Sequence, residues 1–276
     1  MKDQSNTIAE FRALHEQGCF VLPNPWDVGS AIYLQQLGFK ALATTSAGFA
    51  FTQGLSDSVA AVPREMMLAH IAQVVKATPL PVNADFQNGY ADEPEEVAGN
   101  VALCIATGVA GLSIEDATGD SAQPLYEIDL AVERIKAARA AVDASGLPVV
   151  LTARCEAYLV GQRNPLRVSL ERLARFVEAG ADCLYAPGVH EPDEIAAIVK
   201  AVSPKPVNVL VSAPNPDLSV ARLGDLGVRR ISVGSGLARV AWGAFIRAAQ
   251  SIAEIGTFDG FAGAAPFGEL NNLFQK

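Results

Sequence analysis

The chain of 276 residues has few of the side chains that build disulfide frameworks or cysteine and histidine metal sites. Its four cysteines lie far apart and form no CxxC pair, and its three histidines are equally scattered. This usage excludes a disulfide scaffold and a zinc-finger spacing. It is typical of a reducing compartment, so we expect a cytoplasmic protein.

Basic residues and long apolar runs are also scarce. Lys and Arg number 21 against 30 Asp and Glu, which gives a formal net charge of −9 at pH 7. A chain with this balance lacks the cationic surface that nucleic acids and anionic membranes attract. Its apolar runs fall short of the roughly 20 residues of a membrane span, and its N-terminus lacks a secretory signal pattern. We therefore expect neither a nucleic-acid nor a membrane partner.

What the chain does have is a regular alternation of strand-like and helix-like stretches. Half of its residues are hydrophobic, and eight strand–helix units follow one another without a linker. Several predicted helices end at a glycine just before the next strand, as in LGFKAL and AGADCL. This pattern predicts one (β/α)8 TIM-type barrel over residues 1–276, with a doubly wound open sheet as the alternative. Residues 237–276 form an apolar C-terminal helical segment that either packs on its own barrel or is exchanged with a neighbouring subunit.

Ionisable residues follow the predicted strands, and in a barrel of this kind the active site lies at the C-terminal strand ends. The third strand, in VNADFQNGYAD, ends at Asp85, and the next two end at Glu115 and Arg154, with Glu156 just after. Carboxylates on neighbouring strands repel one another unless a cation lies between them. An oxygen-only pair suits Mg²⁺.

Other residues at these ends suit an anionic substrate. Arg154 could pair with a carboxylate or phosphate in bidentate fashion, and TTSAG (44–48) could offer backbone N–H groups. Each candidate also has a structural interpretation. These are turn capping for Asp85, an ordinary turn for Asp57, pairing with Glu156 or Glu115 for Arg154, backbone contacts for Asn208 and core packing for Trp26. Their position on consecutive strand ends favours function.

Five motifs in order carry a family resemblance: NPWDVGSAIYLQQLGFKALATTSAG, GLSD, VNADFQNGYAD, GVAGLSIED and LTARCEAYLVG. The chain resembles the isocitrate lyase / phosphoenolpyruvate mutase superfamily from about residue 20 to beyond 240. The resemblance implies an α/β barrel that binds Mg²⁺ (Mn²⁺ is an alternative) and holds a 2-oxo-carboxylate or enolate on the metal. It also implies a homotetramer, a dimer of dimers, that exchanges the C-terminal helix.

The resemblance also implies roles for residues. Asp85 resembles the principal metal ligand, Glu115 a second one, and Asp57 an aspartate that reaches the site through water. The substrate-binding set that it implies consists of Ser46, Ala47 and Gly48 through their backbone, Arg154 through its side chain, and Trp26 as a pocket wall. The strand-end pattern adds Asn208.

Three departures from the family pattern bear on the reaction. Asn83 stands where the family often has the first acid of a DAD motif. The loop ATGDSAQPLYEID lacks the cysteine of the lyase KKCGH loop and the lysine of the mutases, although its Gly and Pro allow 118–127 to act as a lid. The sixth strand ends in YAPG, without the mutase histidine. Isocitrate lyase, methylisocitrate lyase and mutase activities are therefore not expected.

The remaining features predict a Mg-dependent carbon–carbon lyase or decarboxylase that acts on a small 2-oxo acid or substituted malate through an enolate. The catalytic candidates are Arg154, Asp57 and Glu156. Decarboxylation needs no dedicated acid, whereas a retro-aldol reaction needs a base, for which Glu156 and Tyr158 are available. Two alternatives stay open: phosphorus–carbon chemistry of the phosphonopyruvate hydrolase or phosphonomutase type, and a non-catalytic protein that binds 2-oxo acids.

Overall fold

The strands form one parallel sheet that curls into a nearly closed barrel. The structure, a computed structural model, describes residues 3–59 and 61–275. Its strands are β1 (Phe20–Leu22), β2 (Leu42–Ala43), β3 (Val82–Asp85), β4 (Gly111–Glu115), β5 (Val150–Arg154), β6 (Cys183–Tyr185), β7 (Val207–Leu210) and β8 (Arg230–Ser232). They are ordered β1-β8-β7-β6-β5-β4-β3-β2. The Ala43 N–H donates to the Pro23 carbonyl at 3.0 Å beside the remaining gap, so the barrel prediction is confirmed over the open sheet.

Helices surround the sheet as the alternation predicts. They are α1 (Gln4–Glu16), α2 (Val28–Gln36), α3 (Ser46–Thr52), α4 (Arg64–Ala77), α5 (Pro94–Ala106), α6 (Ile128–Ala144), α7 (Pro165–Glu178), α8 (Pro192–Val202), α9 (Val220–Asp225), α10 (Gly236–Gln250) and α11 (Phe267–Leu273). A π-helical turn (Ser251–Ile255) and a 3₁₀ turn (Asp259–Gly263) connect the last two. Proline occupies the first turn of α5, α7 and α8, where its missing N–H costs nothing.

Two helices were not predicted from the sequence. The first, α1, buries only Thr7, Ile8 and Phe11 of its thirteen residues, so its apolar stripe is too short to give a clear helical period. The second, α3, follows β2 directly and has 7 residues, too few to show a helical period in the sequence. The Thr45 hydroxyl caps α3 by accepting the Gly48 N–H at 3.2 Å. This cap fixes the backbone of the TTSAG motif.

The apolar core lies between the strands and the helices, whereas the inside of the barrel is polar. Side chains such as Ile135, Phe176 and Ile198 fill the space outside the strands. Inside the barrel the buried polar residues include Asn83, Ser113, Thr152, Asn208, Arg230 and Ser232. Small polar residues there leave room for the cavity described below.

The C-terminal segment leaves much apolar surface open. Val240, Phe245, Ile255 and Phe267 are 60–84% exposed on this chain. No helix in the two described ranges has the length and apolar character needed to cross a membrane.

Candidate active site

A cavity of about 460 Å³ lies at the carboxyl ends of the strands. Ionisable side chains from several strand ends and loops converge on it. The described residues that line it include four acids (Asp57, Asp85, Glu115 and Glu156) and two bases (Arg154 and Arg230). The cavity therefore carries an excess of carboxylates.

Arg154 lies at the centre of the acidic group. Its Nη1 atom is 2.9 Å from Asp85 Oδ1 and 3.0 Å from Glu115 Oε1. Its Nε and Nη2 atoms both lie 2.9 Å from Glu156 Oε1, and its guanidinium carbon lies 4.9 Å from the centre of the Tyr185 ring. Arg154 thus provides the cation between the two strand-end carboxylates, and the structural interpretation of its pairing is realised here.

This arrangement changes the proton affinities of the group. Burial raises the pKa of Glu115 well above its ordinary value, with Arg154 opposing and Glu156 adding to the rise. Burial likewise raises the pKa of Glu156 to about 7, again against the pull of Arg154. Burial acts to lower the pKa of Arg154, but Glu115, Glu156 and Asp85 raise it above its usual range. The guanidinium therefore stays charged, while Glu156 can take up or release a proton near neutral pH.

Asp57 reaches the same cavity from the loop after α3. Asp57 is exposed to solvent as a residue, and it contributes to the lining of the cavity. Burial of the carboxylate and the nearby Asp85 raise its pKa, while side-chain hydrogen bonds from Ser46 and Gln87 act in the opposite direction. An ordinary turn residue would not be held in this way.

The backbone that we expected to grip the substrate is partly engaged within the protein. The Ser46 N–H donates to Asp85 Oδ2 at 2.8 Å, and the Gly48 N–H donates to Thr45 Oγ1. The Ala47 N–H has no hydrogen-bond partner among the described residues. Of the three amides, Ala47 is therefore the one available to an anion in this state.

Three other candidates make contacts within the protein. Trp26 and Gly48 pack against each other beside the cavity lining: a Cβ atom on Gly48 would lie 3.0 Å from Trp26 Cβ. Asn208 lines the cavity, but its Nδ2 donates to Ser232 Oγ and its Oδ1 accepts from Arg230 Nε, each at 2.9 Å. The Tyr158 hydroxyl donates to Glu194 Oε2 at 2.9 Å, so it is engaged outside the carboxylate cluster.

Sequence reasoning assigned no role to Gln87 and Arg230, which also line the cavity. Gln87 adopts a φ of 47°, a left-handed conformation that is uncommon outside glycine, and its buried Oε1 atom has no hydrogen-bond partner among the described residues. Asn83 Oδ1 is buried and unpartnered in the same sense. Strained backbone and unsatisfied polar atoms are concentrated at functional sites. Arg230 was also missed, although the RR pair inside an apolar strand pattern was a signal that one arginine faces inward.

The donor atoms around Asp85 suit a hard cation. They are carboxylate and amide oxygens with an excess of negative charge, which Mg²⁺ and Mn²⁺ prefer. No group of three or more Asp, Glu, His or Cys side chains in the described ranges is already arranged around one point. Mg²⁺ is commonly held by one or two carboxylates together with water and substrate, so Asp85 and Glu115 fit this requirement.

Comparisons with known proteins identify a family and similar sequences. The family model described as phosphoenolpyruvate phosphomutase matches residues 11–253. An uncharacterized protein of Mycobacterium tuberculosis is 38% identical over 228 residues, 82% of this chain and 81% of that protein. The oxaloacetate decarboxylase of Pseudomonas savastanoi pv. phaseolicola is 29% identical over 79% of this chain and 75% of that protein.

Two solved structures are similar along nearly the whole chain. A proposed lyase/mutase from Burkholderia cenocepacia has 48% identity and a TM-score of 0.94, and the match covers 99% of this chain and 97% of that one. Oxaloacetate acetylhydrolase in complex with the product oxalate has 26% identity and a TM-score of 0.86, over 99% and 95% of the two chains. The similarity therefore includes the barrel and the C-terminal segment.

Proposed function

Because the chain belongs to the phosphoenolpyruvate phosphomutase family, within the PEP mutase/isocitrate lyase superfamily, we propose that it is a lyase-type enzyme acting on a small 2-oxo acid or substituted malate. The bond broken would be the carbon–carbon bond next to the carbonyl or carbinol carbon. One observation carries this proposal: Arg154 is held by Asp85, Glu115 and Glu156 at the end of β5. The same cavity is lined by Ala47, whose N–H has no hydrogen-bond partner among the described residues. A positive charge and a backbone donor for a substrate carboxylate thus lie in one cavity.

In this proposal the chain binds and orients the substrate first. An incoming carboxylate would take over part of the hydrogen bonding of Arg154 and accept the Ala47 N–H. With both carboxylate oxygens held, the bond to be broken is aligned with the carbonyl system, and this alignment lowers the entropic part of the activation barrier. Bound by Asp85 and Glu115, with Asp57 reached through water, Mg²⁺ or Mn²⁺ would act as a Lewis acid that favours negative charge on the substrate oxygen.

The proton requirements distinguish two forms of the reaction. In decarboxylation the C–C bond electrons pass into the carbonyl system, CO₂ leaves, and solvent protonates the resulting enolate. In a retro-aldol reaction Glu156 removes the hydroxyl proton of a substituted malate, a 2-oxo acid forms, and the other fragment leaves as the enolate of a carboxylic acid and is then protonated. The raised pKa of Glu156, about 7, suits a base that works near neutral pH.

Phosphorus–carbon chemistry is the second candidate, because the matching family model is described as phosphoenolpyruvate phosphomutase. A transferring phosphoryl group needs several positive charges around its oxygens. The described lining residues offer Arg154 and Arg230, and the loop 117–125 contributes no basic side chain. This is less than phosphoryl transfer normally uses, so we rank it below carbon–carbon cleavage.

The first test is calorimetric titration of oxalate, a mimic of the pyruvate enolate, with and without Mg²⁺. Wild type is compared with Asp85→Ala and with the matched control Asp225→Ala, whose side chain is exposed on α9. We expect binding that requires Mg²⁺, is lost in Asp85→Ala and is unchanged in Asp225→Ala. Oxalate binding that is the same with and without Mg²⁺, and the same in wild type and Asp85→Ala, would contradict the proposed site.

Turnover then separates the candidate reactions. Oxaloacetate and substituted malates are followed by NMR for 2-oxo acid products, and phosphonopyruvate is followed by phosphorus NMR for phosphoenolpyruvate or phosphate. A 2-oxo acid product supports carbon–carbon cleavage, and phosphoenolpyruvate or phosphate supports the second candidate. Oxalate binding without turnover of any of these substrates would indicate a non-catalytic 2-oxo acid binding protein.

A further inference from the structure

The cavity continues below Arg154 into the barrel, and its lower end contains a second arginine. Arg230 on β8 lines the cavity together with Asn83, Ser113, Asn208 and Ser232. Arg230 is only 2% exposed, and none of these four neighbours carries a charge. The reaction proposed at Arg154 does not use this lower end of the cavity.

Arg230 differs from Arg154 in its partners. Its Nε donates to Asn208 Oδ1 at 2.9 Å, its Nη2 donates to Thr152 Oγ1 at 3.0 Å, and its Nη1 lies 3.4 Å from His15 Nε2. Burial, and then the charge of Arg230, lower the pKa of His15 to about 3, so His15 is neutral. No carboxylate within the described residues forms an ion pair with Arg230, whereas three do so with Arg154.

The guanidinium also has unused hydrogen-bonding capacity. It carries five N–H groups, and three contacts account for three of them, which leaves two. A buried charge without a counter-ion is unfavourable unless a ligand or solvent compensates it. The two unused N–H groups and the unpaired positive charge of Arg230 both favour binding of an anion.

Neighbouring hydroxyl groups point to the same conclusion. Asn208 Nδ2 donates to Ser232 Oγ, which in turn donates to the Tyr185 hydroxyl oxygen at 3.5 Å. The proton of the Tyr185 hydroxyl is then free to donate to a ligand. Burial raises the pKa of Tyr185 to about 12, so this proton is retained at neutral pH.

The two arginines are one layer apart in the barrel. Arg230 bonds to Thr152, which lies two residues before Arg154 on β5. Two residues along a strand correspond to about 7 Å. A single small molecule with two anionic ends can span this distance.

We propose that Arg230, with the Tyr185 hydroxyl, forms a second anion subsite that receives a carboxylate on the side chain of the substrate. This inference rests on the proposed function for the reacting end, which lies at Arg154. It narrows the substrate class to 2-oxo or 2-hydroxy acids whose branch carries a second carboxylate one strand layer deeper.

The test uses two ligands of the same shape that differ in charge. 2-Oxoglutarate carries a terminal carboxylate, and 5-methyl-2-oxohexanoate replaces it with an isopropyl group. Calorimetry in Mg²⁺ measures both ligands, and oxalate, against wild type, Arg230→Met and Arg230→Lys. Oxalate is too short to reach the lower subsite, so it reports on the Arg154 end alone.

We expect wild type to bind 2-oxoglutarate at least about tenfold more tightly than the neutral ligand, the size of effect that one charge-assisted contact gives. Arg230→Met should remove this preference and leave oxalate affinity unchanged, and Arg230→Lys should retain part of it. No preference in wild type, or the same preference in Arg230→Met, would overturn the subsite. If Arg230→Met fails to fold, the wild-type ratio and Arg230→Lys still decide. If wild type does not bind oxalate at all, the result would instead contradict the proposed function.

Discussion

At the scale of single residues, Arg154 is the residue on which both the stability and the chemistry of the site depend. It compensates three carboxylates that are largely buried, with side chains 5–16% exposed. Removing one partner of a buried ion pair leaves an uncompensated charge. The same guanidinium is proposed to orient the substrate, so its loss should affect folding and binding together.

We expect Arg154→Gln to lower the free energy of unfolding by about 3–5 kcal/mol at pH 8 and to abolish oxalate binding. Without the arginine the buried carboxyl groups favour their protonated forms, so their folded-state pKa values rise further. The stability that protonation provides is present at low pH and lost as the pH rises, so the defect should be smaller at pH 5. Urea denaturation at both pH values measures this. The exposed Arg163→Gln is the control, and equal loss in both variants would refute the prediction.

Glu156 leads to a prediction about pH. Burial raises its pKa from 4.5 to about 7 in the folded protein. If it is the base of a retro-aldol reaction, kcat/KM should rise with pH to a plateau above about pH 7, because the base must be deprotonated. Glu156→Gln should lose turnover of malates while it retains oxalate binding, and the exposed Glu178→Gln should behave as wild type. A rate that falls as the pH rises through 7 would assign Glu156 the opposite role.

Glu156 also affects stability in a defined direction. A carboxyl group whose pKa is higher in the folded than in the unfolded state makes its full contribution to stability when the pH is below the unfolded-state pKa. This contribution disappears as the pH rises through the folded-state pKa of about 7. Urea midpoints measured from pH 5 to pH 8 should therefore fall more steeply in wild type than in Glu156→Gln. Parallel curves would mean that Glu156 does not take up a proton in the folded state over this range.

At the scale of elements, α1 closes the N-terminal end of the barrel. Phe11 is fully buried, and its ring meets that of His15 edge-on at 4.7 Å between centres. A Cβ atom on Gly111 would lie 2.7 Å from the Phe11 ring, so the first residue of β4 must be glycine for the helix to pack this closely. The element thus supports the layer that contains Arg230.

We expect Phe11→Ala to lower the free energy of unfolding by about 3–5 kcal/mol, since it leaves a cavity under the barrel. Leu37→Ala, at a side chain 57% exposed, should change it by less than about 0.5 kcal/mol. Because Phe11 does not line the cavity, oxalate affinity should be retained in the folded fraction. Denaturation and calorimetry on the same samples check both parts, and an unchanged stability would show that α1 is not part of the core.

The elements also show what the sequence can and cannot predict. Alternating strands and helices, with carboxylates at strand ends, predicted the barrel and the group of Asp85, Glu115 and Arg154, because both follow from periodicity and topology. The helix α1 was missed because three buried residues give too weak a period. The pairing of Arg154 with its neighbours was left open, since several partners were within reach and only the packed structure decides between them.

At the scale of the whole molecule, the distribution of apolar surface points to assembly. Single exposed apolar residues are ordinary, but α10 and the segment after it present a continuous series of them, from Leu237 to Phe274. The structural match to the Burkholderia cenocepacia protein includes this segment, so both proteins share it. A chain that left this surface in water would tend to aggregate, so we expect a partner subunit to cover it.

The family resemblance implies a tetramer that exchanges its C-terminal helix, and the exposed apolar series agrees with such a contact, so we predict a homotetramer in which the segment 237–276 packs on a neighbouring subunit. Phe267, 84% exposed, and Phe245, 60% exposed, are the residues to change. Size-exclusion chromatography with light scattering should show a tetramer for wild type and smaller species for Phe245→Asp combined with Phe267→Asp. Asp225→Ala serves again as the control. Burying apolar surface contributes roughly 25 cal/mol per Å². Replacing two exposed phenylalanines with aspartates removes apolar area that would stabilise the contact and places charges in it. A wild-type monomer at micromolar concentration would contradict the assembly, and would leave this surface to another partner.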